Sequence, residues 1–449
     1  MKRLFFSFLS IALCAFAVVS CDKENKDEEN GGKKGREAGT YIPYTQQQDL
    51  IAQAISVTRE KIDITPAATA LRSMVARAKQ PFDLSQVLVY ASQDERLAEV
   101  MTLLVSYITS PEIQIDFEKF YMKAEFEVTD SLNDKGEKIA VICLDTVSYD
   151  SDCMDLDIRM DGHTYCIKLN GENASGAAVN YRTSEESKGT LIYLPKTFNL
   201  SVSYDGYPLL SLDLGLNSDM VFYILNPKDS GLQLGFQGTK LNLNAGLTLG
   251  VAEVDGKVDL DMSKGMDLYM SFKSEGKKLL ALNAALDASL DGIKGSDKSS
   301  IVEWAMDPTQ LRKVNGSIVY GDDDMKIVAS IENPFKDQEV GQTIVMAIAG
   351  AQENPQALEQ LNKCMDKLNG LVKCEVYFKG FSEPQATLKF TEINTTQSGS
   401  VTEAILGAVN VVTFDEKGEE VTLPVMEYLG DSGLLEQLSG LSRKLIAVL

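Results

Sequence analysis

Apolar and polar side chains alternate with a period of two along most of the chain between residues 112 and 290. One of the clearest runs consists of Leu241, Leu243, Ala245, Leu247 and Leu249. This alternation is typical of strands that have one apolar and one solvated face. It predicts a large curved antiparallel sheet, whose apolar side must be buried against helices, a second sheet or a ligand.

The turn at Asp161-Gly162 sets the expected register of two of these strands. An Asp-Gly pair between alternating segments is a strong hairpin signal. A two-residue loop at this point places Ile158 opposite Tyr165, so the apolar sets of both strands share one face. The same register places His163 opposite Met160.

A second turn, at Asp205-Gly206-Tyr207, allows two registers. A three-residue loop pairs Val202 with Leu210 and Leu200 with Leu212, whereas a two-residue loop would put these side chains on opposite faces. Because a slip of one residue moves a whole apolar set to the solvent side, we predict the three-residue loop.

A helical block, residues 41–110, precedes the sheet. Thr45 and Gln48 have the spacing of a capping box, and Thr65-Pro66 is a typical helix start. A third helix is predicted from about Asp94, because apolar residues recur there at helical spacing. Its apolar stripe, expected to face the core, consists of Leu97, Val100, Met101, Leu104 and Ile108.

The C-terminal third mixes both periods. Strands are expected at 316–320 and 325–331, and a helix at about 355–368. A last helix is expected from about Asp431. The predicted fold class is therefore α+β and mainly antiparallel β. Its parts are the helical segment 41–110, the sheet core 111–332 and a mixed α/β region 333–449. No linker sequence separates these parts, so residues 41–449 are also compatible with a single domain.

The N-terminus carries a basic start, Lys2 and Arg3, an apolar run from Leu4 to Val19, and then Cys21. These are the marks of a secretory signal peptide, and the apolar run is too short for a stable membrane span. With a cysteine at the cleavage point, residues 1–21 resemble a bacterial lipoprotein precursor. The resemblance implies cleavage after residue 20 and attachment of a diacylglycerol to Cys21.

Residues 21–40 form an acidic segment rich in charge and glycine. Such a composition cannot bury a core and predicts a solvated tether. The run of acids directly after Cys21 also resembles the signal that exports some Gram-negative lipoproteins to the cell surface. The resemblance implies an outer-membrane lipoprotein that faces the cell surface, with the periplasmic face as the alternative.

The negative net charge of the chain limits the kinds of partner that it could bind. A formal net charge of -22 at pH 7 repels nucleic acids and anionic headgroups, so no nucleic-acid partner is expected. Attachment to the membrane must then come from the lipid, and a diacylglyceryl group supplies more than one chain.

Five cysteines follow residue 21, and an oxidising compartment would permit disulfides between them. The separation of Cys364 and Cys374 suits a helix joined to a strand through Asn369-Gly370. We predict this pair as a possible disulfide. The odd number leaves at least one thiol unpaired or intermolecular.

Candidate catalytic chemistry is sparse. His163 is the only histidine, which leaves little material for a zinc site or a serine triad, and a structural role at the hairpin end is expected. Asp322-Asp323-Asp324 reads as a solvated turn, and the context of Trp304, the only tryptophan, suggests packing. No cofactor or metal site is predicted. Asp130-Ser131-Leu132 and Asp145-Thr146-Val147 resemble a bacterial O-glycosylation motif, so Ser131 and Thr146 are possible acceptors.

These patterns favour a non-enzymatic lipoprotein that binds or carries a hydrophobic ligand, or that serves as a structural component of the cell envelope. The alternative is an adhesin-like or glycan-binding accessory lipoprotein that presents its polar sheet face. The expected partners are the outer membrane, reached through the lipid, and a hydrophobic ligand or another envelope protein.

Overall fold

The computed structural model describes residues 39–60, 69, 72, 76, 81–173, 176–182, 189–225, 233–292, 303–304, 306–343, 359, 362–393 and 408–429. Strands predominate over helices, and helices occur in the N-terminal and C-terminal parts of the chain. The predicted class, a mainly antiparallel α+β fold, is confirmed.

The helices are α1 (Tyr44–Glu60), α2 (Ser85–Ala91), α3 (Glu95–Thr109), α4 (Met365–Leu371) and α5 (Val425–Leu429). The first strands are β1 (Phe82–Asp83), β2 (Glu112–Ile113), β3 (Met122–Leu132), β4 (Lys138–Ser148), β5 (Met154–Met160), β6 (His163–Glu172), β7 (Ala178–Arg182), β8 (Thr190–Tyr193), β9 (Thr197–Tyr204), β10 (Tyr207–Ser218) and β11 (Val221–Leu225). The remaining strands are β12 (Gln233–Gln237), β13 (Lys240–Leu249), β14 (Ala252–Asp261), β15 (Gly265–Ser274), β16 (Lys277–Ala288), β17 (Leu311–Tyr320), β18 (Met325–Glu332), β19 (Val372–Phe378), β20 (Ala386–Phe390), β21 (Val409–Phe414) and β22 (Glu420–Pro424).

The chain divides into two compact units. The central unit contains α2, α3 and β1 to β14, together with the second part of β15. The terminal unit contains α1, the start of β15, β16 to β22, α4 and α5. The hydrophobic pattern places the first helix in one segment, 41–110, with the two helices that follow it. In the structure, the first helix instead belongs to the same unit as the C-terminal strands.

The central unit contains a sheet with the strand order β4-β3-β5-β6-β9-β10-β13-β14. All these pairs are antiparallel except β3 with β5, which is parallel. A smaller sheet in the same unit has the order β12-β11-β7-β8-β2 and mixes parallel and antiparallel pairs.

Both predicted hairpin registers are confirmed. Ile158 lies opposite Tyr165 and Met160 opposite His163. Val202 lies opposite Leu210, but the loop itself is different from the prediction. Asp205 and Gly206 make a two-residue turn, and a bulge between Pro208 and Leu210 supplies the extra residue. A β-bulge shifts the register by one position, so it places the apolar side chains of both strands on the same side of the sheet, as the longer loop would.

Helix α3 begins where its pattern predicts. Asp94 caps it by accepting a 2.9 Å hydrogen bond from the Leu97 backbone N–H. Leu97 and Val100 are buried against the start of β3. Leu104 belongs to the same predicted stripe but is 47% exposed, so the expectation that the whole stripe faces the core is wrong. The predicted helix at Thr65-Pro66 lies mostly outside the described residues.

The terminal unit contains the antiparallel order β16-β17-β18-β19-β20-β21-β22. Tyr320, Met325 and Phe378 form one cross-strand row on this sheet, and all three are buried. Helix α1 packs against β16, β17 and β18 and buries Ile51. The strands predicted at 316–320 and 325–331 are present and begin or end slightly beyond those bounds.

Of three other expectations for this unit, one is wrong, one is confirmed and one lies outside the described residues. Thr45 does not cap α1, because the helix begins at Tyr44 and the Thr45 hydroxyl donates to the Glu416 carboxylate at 2.6 Å. Trp304 is buried, and its Nε1–H donates to the Ser289 carbonyl at 2.6 Å, as packing requires. The predicted last helix from Asp431 lies outside the described residues.

Candidate functional site

The apolar side of the central sheet is the most extensive candidate surface. On this side of β9, β10, β13 and β14, residues that lie directly opposite each other are almost all leucine, valine or alanine. Leu200 faces Leu212, for example, and Leu247 lies between Leu212 and Val254. Val202, Leu249 and Ala252, in the row of this surface nearest Tyr204, are buried. We call the half-buried part of the surface the leucine face, and it comprises Leu200, Leu212, Leu214, Leu216, Leu243, Leu247, Val254 and Val258.

All eight side chains of the leucine face are half-buried. The row Tyr320, Met325 and Phe378 on the terminal sheet shows what full coverage produces, since each of these is at most 3% exposed. Fully burying one leucine or valine is worth roughly 1.5–3 kcal/mol relative to leaving it exposed. The leucine face therefore retains apolar area that a ligand could remove from water.

The opposite side of the same strands is polar. Asn199 Nδ2 donates to Asn170 Oδ1 at 2.8 Å, and Asn242 donates to Asp259. Lys273 forms a 2.5 Å ion pair with Asp255. The two sides of the sheet thus suit different partners, hydrocarbon on one side and hydrogen-bonding groups on the other.

One end of the apolar side is closed by Phe117. This residue is 2% exposed and packs edge-on against Phe198, with 6.2 Å between the ring centroids. Gly171 permits this contact, since a Cβ atom there would lie 2.9 Å from the Phe117 ring. The closure depends on a glycine that the alternating pattern did not single out.

The other end carries aromatic side chains with polar tips. Tyr207 lies opposite Tyr204, and Tyr204 lies opposite Tyr165, so three neighbouring strands contribute a tyrosine to one row. The His163 ring lies 4.7 Å from the Tyr204 ring, and its Nδ1 is 2.7 Å from Asp205 Oδ2. The structure therefore places the only histidine in a hydrogen bond at the hairpin end.

A cluster that the sequence analysis missed lies on the polar side. One oxygen each from Asp155 and Asp157 and the Cys166 Sγ all lie within 4.8 Å of one another, a spacing that could hold a metal ion. The predicted hairpin register already contained this cluster, because it places Cys166 opposite Asp157. The Cys166 thiol donates to Asp155 at 3.3 Å, and Lys168 lies 3.1 Å from the same carboxylate.

The state of the Cys166 thiol argues for a hydrogen-bonded network. Burial, followed by the hydrogen bonds to Asp157 and Asp155, raises its pKa to about 12. Thiolate is the form that binds metals. A protonated thiol that donates to a carboxylate is a weak starting point for a metal site.

Cys364 and Cys374 are both buried and both free, so the structure has two thiols in place of the predicted disulfide. Cys364 immediately precedes α4, and its Sγ contacts the Thr343 hydroxyl at 3.8 Å. Cys374 lies inside β19 opposite Ala329. Each thiol has a separate packing environment, which the spacing along the chain did not reveal.

The remaining residues named from the sequence are two possible glycosylation acceptors, the lipidation site and an acidic turn. Ser131 and Thr146 lie in β3 and β4, and both are exposed. Cys21 lies outside the described residues, so its lipidation stays a prediction. Asp322-Asp323-Asp324 forms an exposed turn, in which Lys379 pairs with Asp324 at 2.9 Å.

Among the described residues, no helix combines the length and the apolar character needed to cross a bilayer. No protein-family model matches the chain, and no curated protein is significantly similar to it.

Proposed function

We propose that this chain is a lipid-anchored, non-enzymatic lipoprotein of a Gram-negative outer membrane that binds a ligand with an extended hydrocarbon chain. The half-buried leucine face of the central unit is the observation that carries the proposal. It offers half-buried leucine and valine side chains on four neighbouring strands, whereas the other side of the same strands is lined with amides and carboxylates.

The dimensions of the leucine face suit a short linear chain. Leu212 and Leu216 mark its two ends on β10 and are four residues apart. At about 3.3 Å per residue, this corresponds to roughly 13 Å. Neighbouring strands lie about 4.8 Å apart, so an extended acyl chain would contact side chains of several strands at once.

The first residues of the chain support the proposed location in the outer membrane. Cys21 follows a signal peptide, and the acidic segment behind it favours the cell surface, with the periplasmic face as the alternative. The net charge of -22 makes an electrostatic attachment to anionic lipids unfavourable. The lipid on Cys21 would then supply the attachment.

A tryptophan reporter tests ligand binding. Leu243 and Asn244 are adjacent on β13 and point to opposite sides of the sheet. We expect a brominated fatty alcohol to quench the added fluorescence of Leu243→Trp. The matched control Asn244→Trp should not be quenched, and the buried Trp304 serves as an internal reference. Equal quenching of both variants, or none, would contradict the proposal.

A second function, recognition of a glycan or protein by the polar side, is favoured by one observation. Asn199 and Asn170 are already paired side by side at 2.8 Å, and Asp213 lies opposite Asn199 on the next strand. Planar amides and carboxylates in rows can hydrogen-bond sugar hydroxyls. A glycan array would support this function if binding were lost in Asn199→Ala and Asp213→Ala and kept in Leu243→Met.

A further inference from the structure

Strand β12 lies at one edge of the smaller sheet of the central unit. Among the described residues it pairs with β11 alone, in the register that places Phe222 opposite Phe236. The backbone N–H and C=O groups along its other edge therefore have no strand partner within the described part of the chain. An open edge of this kind is a template for pairing with another chain.

Other edge strands carry features that discourage such pairing. β4 contains Lys138 and Asp145, and β1 pairs with part of it. β22 contains Glu420 and Pro424, and β2 is two residues long. Charges, proline and very short strands are the usual protection of an edge. β12 is five residues long, with the sequence Gln-Leu-Gly-Phe-Gln, and has no such protection.

An apolar row leads across the smaller sheet to this edge. Ile113, Ile192, Val179, Phe222 and Phe236 lie opposite one another on five successive strands. The first four are half-buried, and Phe236, at the open edge, is 46% exposed. Cross-strand contacts between apolar residues stabilise sheets, so a further strand with an apolar residue at this position would continue the row.

The charge of the chain restricts where two copies could meet. The net charge is -22, so most surfaces of two copies repel each other. β11 and β12 together contain no charged residue. A contact between two β12 strands would therefore not bring carboxylates of these strands together.

The sequence of β12 is self-complementary about Gly235. Two copies related by a two-fold axis pair antiparallel, and an axis at Gly235 places Leu234 opposite Phe236 of the other copy and Gln233 opposite Gln237. Apolar residues then meet on one side of the sheet and amides on the other. A slip of one residue would instead place Phe236 opposite Gly235 or Gln233.

We propose that two copies of this chain associate through their β12 strands, in an antiparallel pair that joins the two smaller sheets into one continuous sheet. This association is independent of any ligand on the leucine face. Because each edge is five residues long, the contact is smaller than the roughly 1,200 Å² that stable interfaces bury. We therefore expect a weak dimer, with a dissociation constant on the order of 10–100 µM.

Sedimentation velocity measures this association directly. The reference chain comprises residues 21–449 with Cys21→Ala, so that no lipid can bring two copies together. It should change from monomer to dimer as its concentration rises from about 1 to 300 µM, a range that brackets the expected dissociation constant.

Two double variants of the reference chain test the register. Leu234→Glu with Phe236→Lys places opposite charges across from each other, twice in each dimer, and should retain the dimer. Leu234→Lys with Phe236→Lys places like charges at the same positions and should dimerise at least about tenfold more weakly than the first variant. Both variants remove the same apolar groups, and the second reduces the net negative charge. General repulsion between copies cannot therefore explain its weaker association.

A single substitution tests the location of the contact with less disturbance of the fold. Phe236→Asp adds one charge at an exposed position of β12 and should weaken dimerisation at least about tenfold. Val251→Asp is the matched control, because Val251 is 45% exposed between β13 and β14. The control should dimerise like the reference chain. Circular dichroism of each variant checks that the sheets are intact.

Each remaining outcome would overturn the proposal. A reference chain that stays monomeric excludes the second copy and makes an extended peptide of another protein the occupant to consider for this edge. Equal dimerisation of the two double variants excludes the antiparallel register about Gly235. Unchanged dimerisation of Phe236→Asp, or equal weakening in Val251→Asp, places the contact outside β12.

Discussion

The Tyr428 hydroxyl donates a 2.7 Å hydrogen bond to Gln47 Oε1, and both residues are almost completely buried. Gln47 lies in α1 and Tyr428 in α5, so the bond joins the two ends of the described chain. The Gln47 amide also donates to the Ile42 carbonyl at 2.6 Å and to Thr413 Oγ1 at 3.0 Å. A fully satisfied polar network of this kind holds α1 against the C-terminal strands.

Loss of the Gln47 side chain should destabilise the terminal unit. Gln47→Ala leaves the buried Tyr428 hydroxyl and the Ile42 carbonyl without this partner, and an unsatisfied buried group costs about 1–3 kcal/mol. We expect the free energy of unfolding to fall by about 2–4 kcal/mol, measured by urea denaturation with Trp304 fluorescence. The neighbouring exposed residue supplies the control, since Gln46→Ala should change it by less than about 0.5 kcal/mol. Equal effects of the two variants would show that the network contributes no stability.

Gly265 should tolerate no side chain. Its φ is 121°, and an added Cβ would overlap the carbonyl oxygen of Leu286. Gly265→Ala should therefore lower the free energy of unfolding by at least about 2 kcal/mol. Gly276 also has a positive φ of 72° but no atom within 4 Å of the added Cβ. Gly276→Ala should cost only about 1 kcal/mol. If thermal denaturation shifted equally for both, the overlap at Gly265 would not be real.

The Cys166 thiol should react slowly with alkylating reagents in the folded protein. Its pKa is raised to about 12, first by burial and then by the hydrogen bonds to Asp157 and Asp155. Because only the thiolate reacts, alkylation at pH 8 should be roughly a thousandfold slower than for an ordinary exposed cysteine. Asp155→Asn removes one of the nearby charges and should accelerate the reaction. Iodoacetamide labelling followed by peptide mass spectrometry measures both rates, and rapid labelling of wild-type Cys166 would contradict the hydrogen-bonded thiol.

Asp219 should make part of the stability dependent on pH. The Thr239 side chain and the backbone N–H groups of Lys240 and Thr239 donate to its carboxylate and lower its pKa to about 2. A carboxyl with a lowered pKa stabilises the fold above its unfolded pKa, near 3.8, and loses that contribution as pH falls toward 2. The difference in melting temperature between wild type and Asp219→Asn should therefore shrink between pH 4 and pH 2. A constant difference across this range would argue against the lowered pKa.

Cys21 should be required for attachment to the membrane. In cells that produce the full chain, wild type should incorporate labelled palmitate and sediment with the outer membrane. Cys21→Ala should incorporate no label and be recovered in the soluble fraction, because the acidic body has no electrostatic affinity for anionic lipid. Membrane recovery of the unlabelled variant would show that another part of the chain makes the attachment.

The strand registers were accessible from the sequence because side-chain alternation and turn residues act locally. Ile158 and Tyr165 share a face as a direct consequence of the Asp161-Gly162 turn. The bulge next to Leu210 could not be predicted from the sequence, since a longer loop and a bulge place the apolar side chains on the same side of the sheet. The candidate ligand surface was predicted as an apolar sheet face, but its closed end at Phe117 and the row of tyrosines at its other end were not.

Residues distant in sequence account for what local patterns missed. Gln47 resembles the exposed polar face of a helix until Tyr428 and Thr413 are brought against it. Cys364 and Cys374 have a spacing compatible with a disulfide, yet Cys364 contacts Thr343. By itself, the sequence determined the alternating strands, the hairpin facing and the acidic charge, because each follows from neighbouring residues. Only the tertiary structure decided which apolar side chains are fully covered and which polar ones are buried, because burial depends on the contacts made by the whole fold.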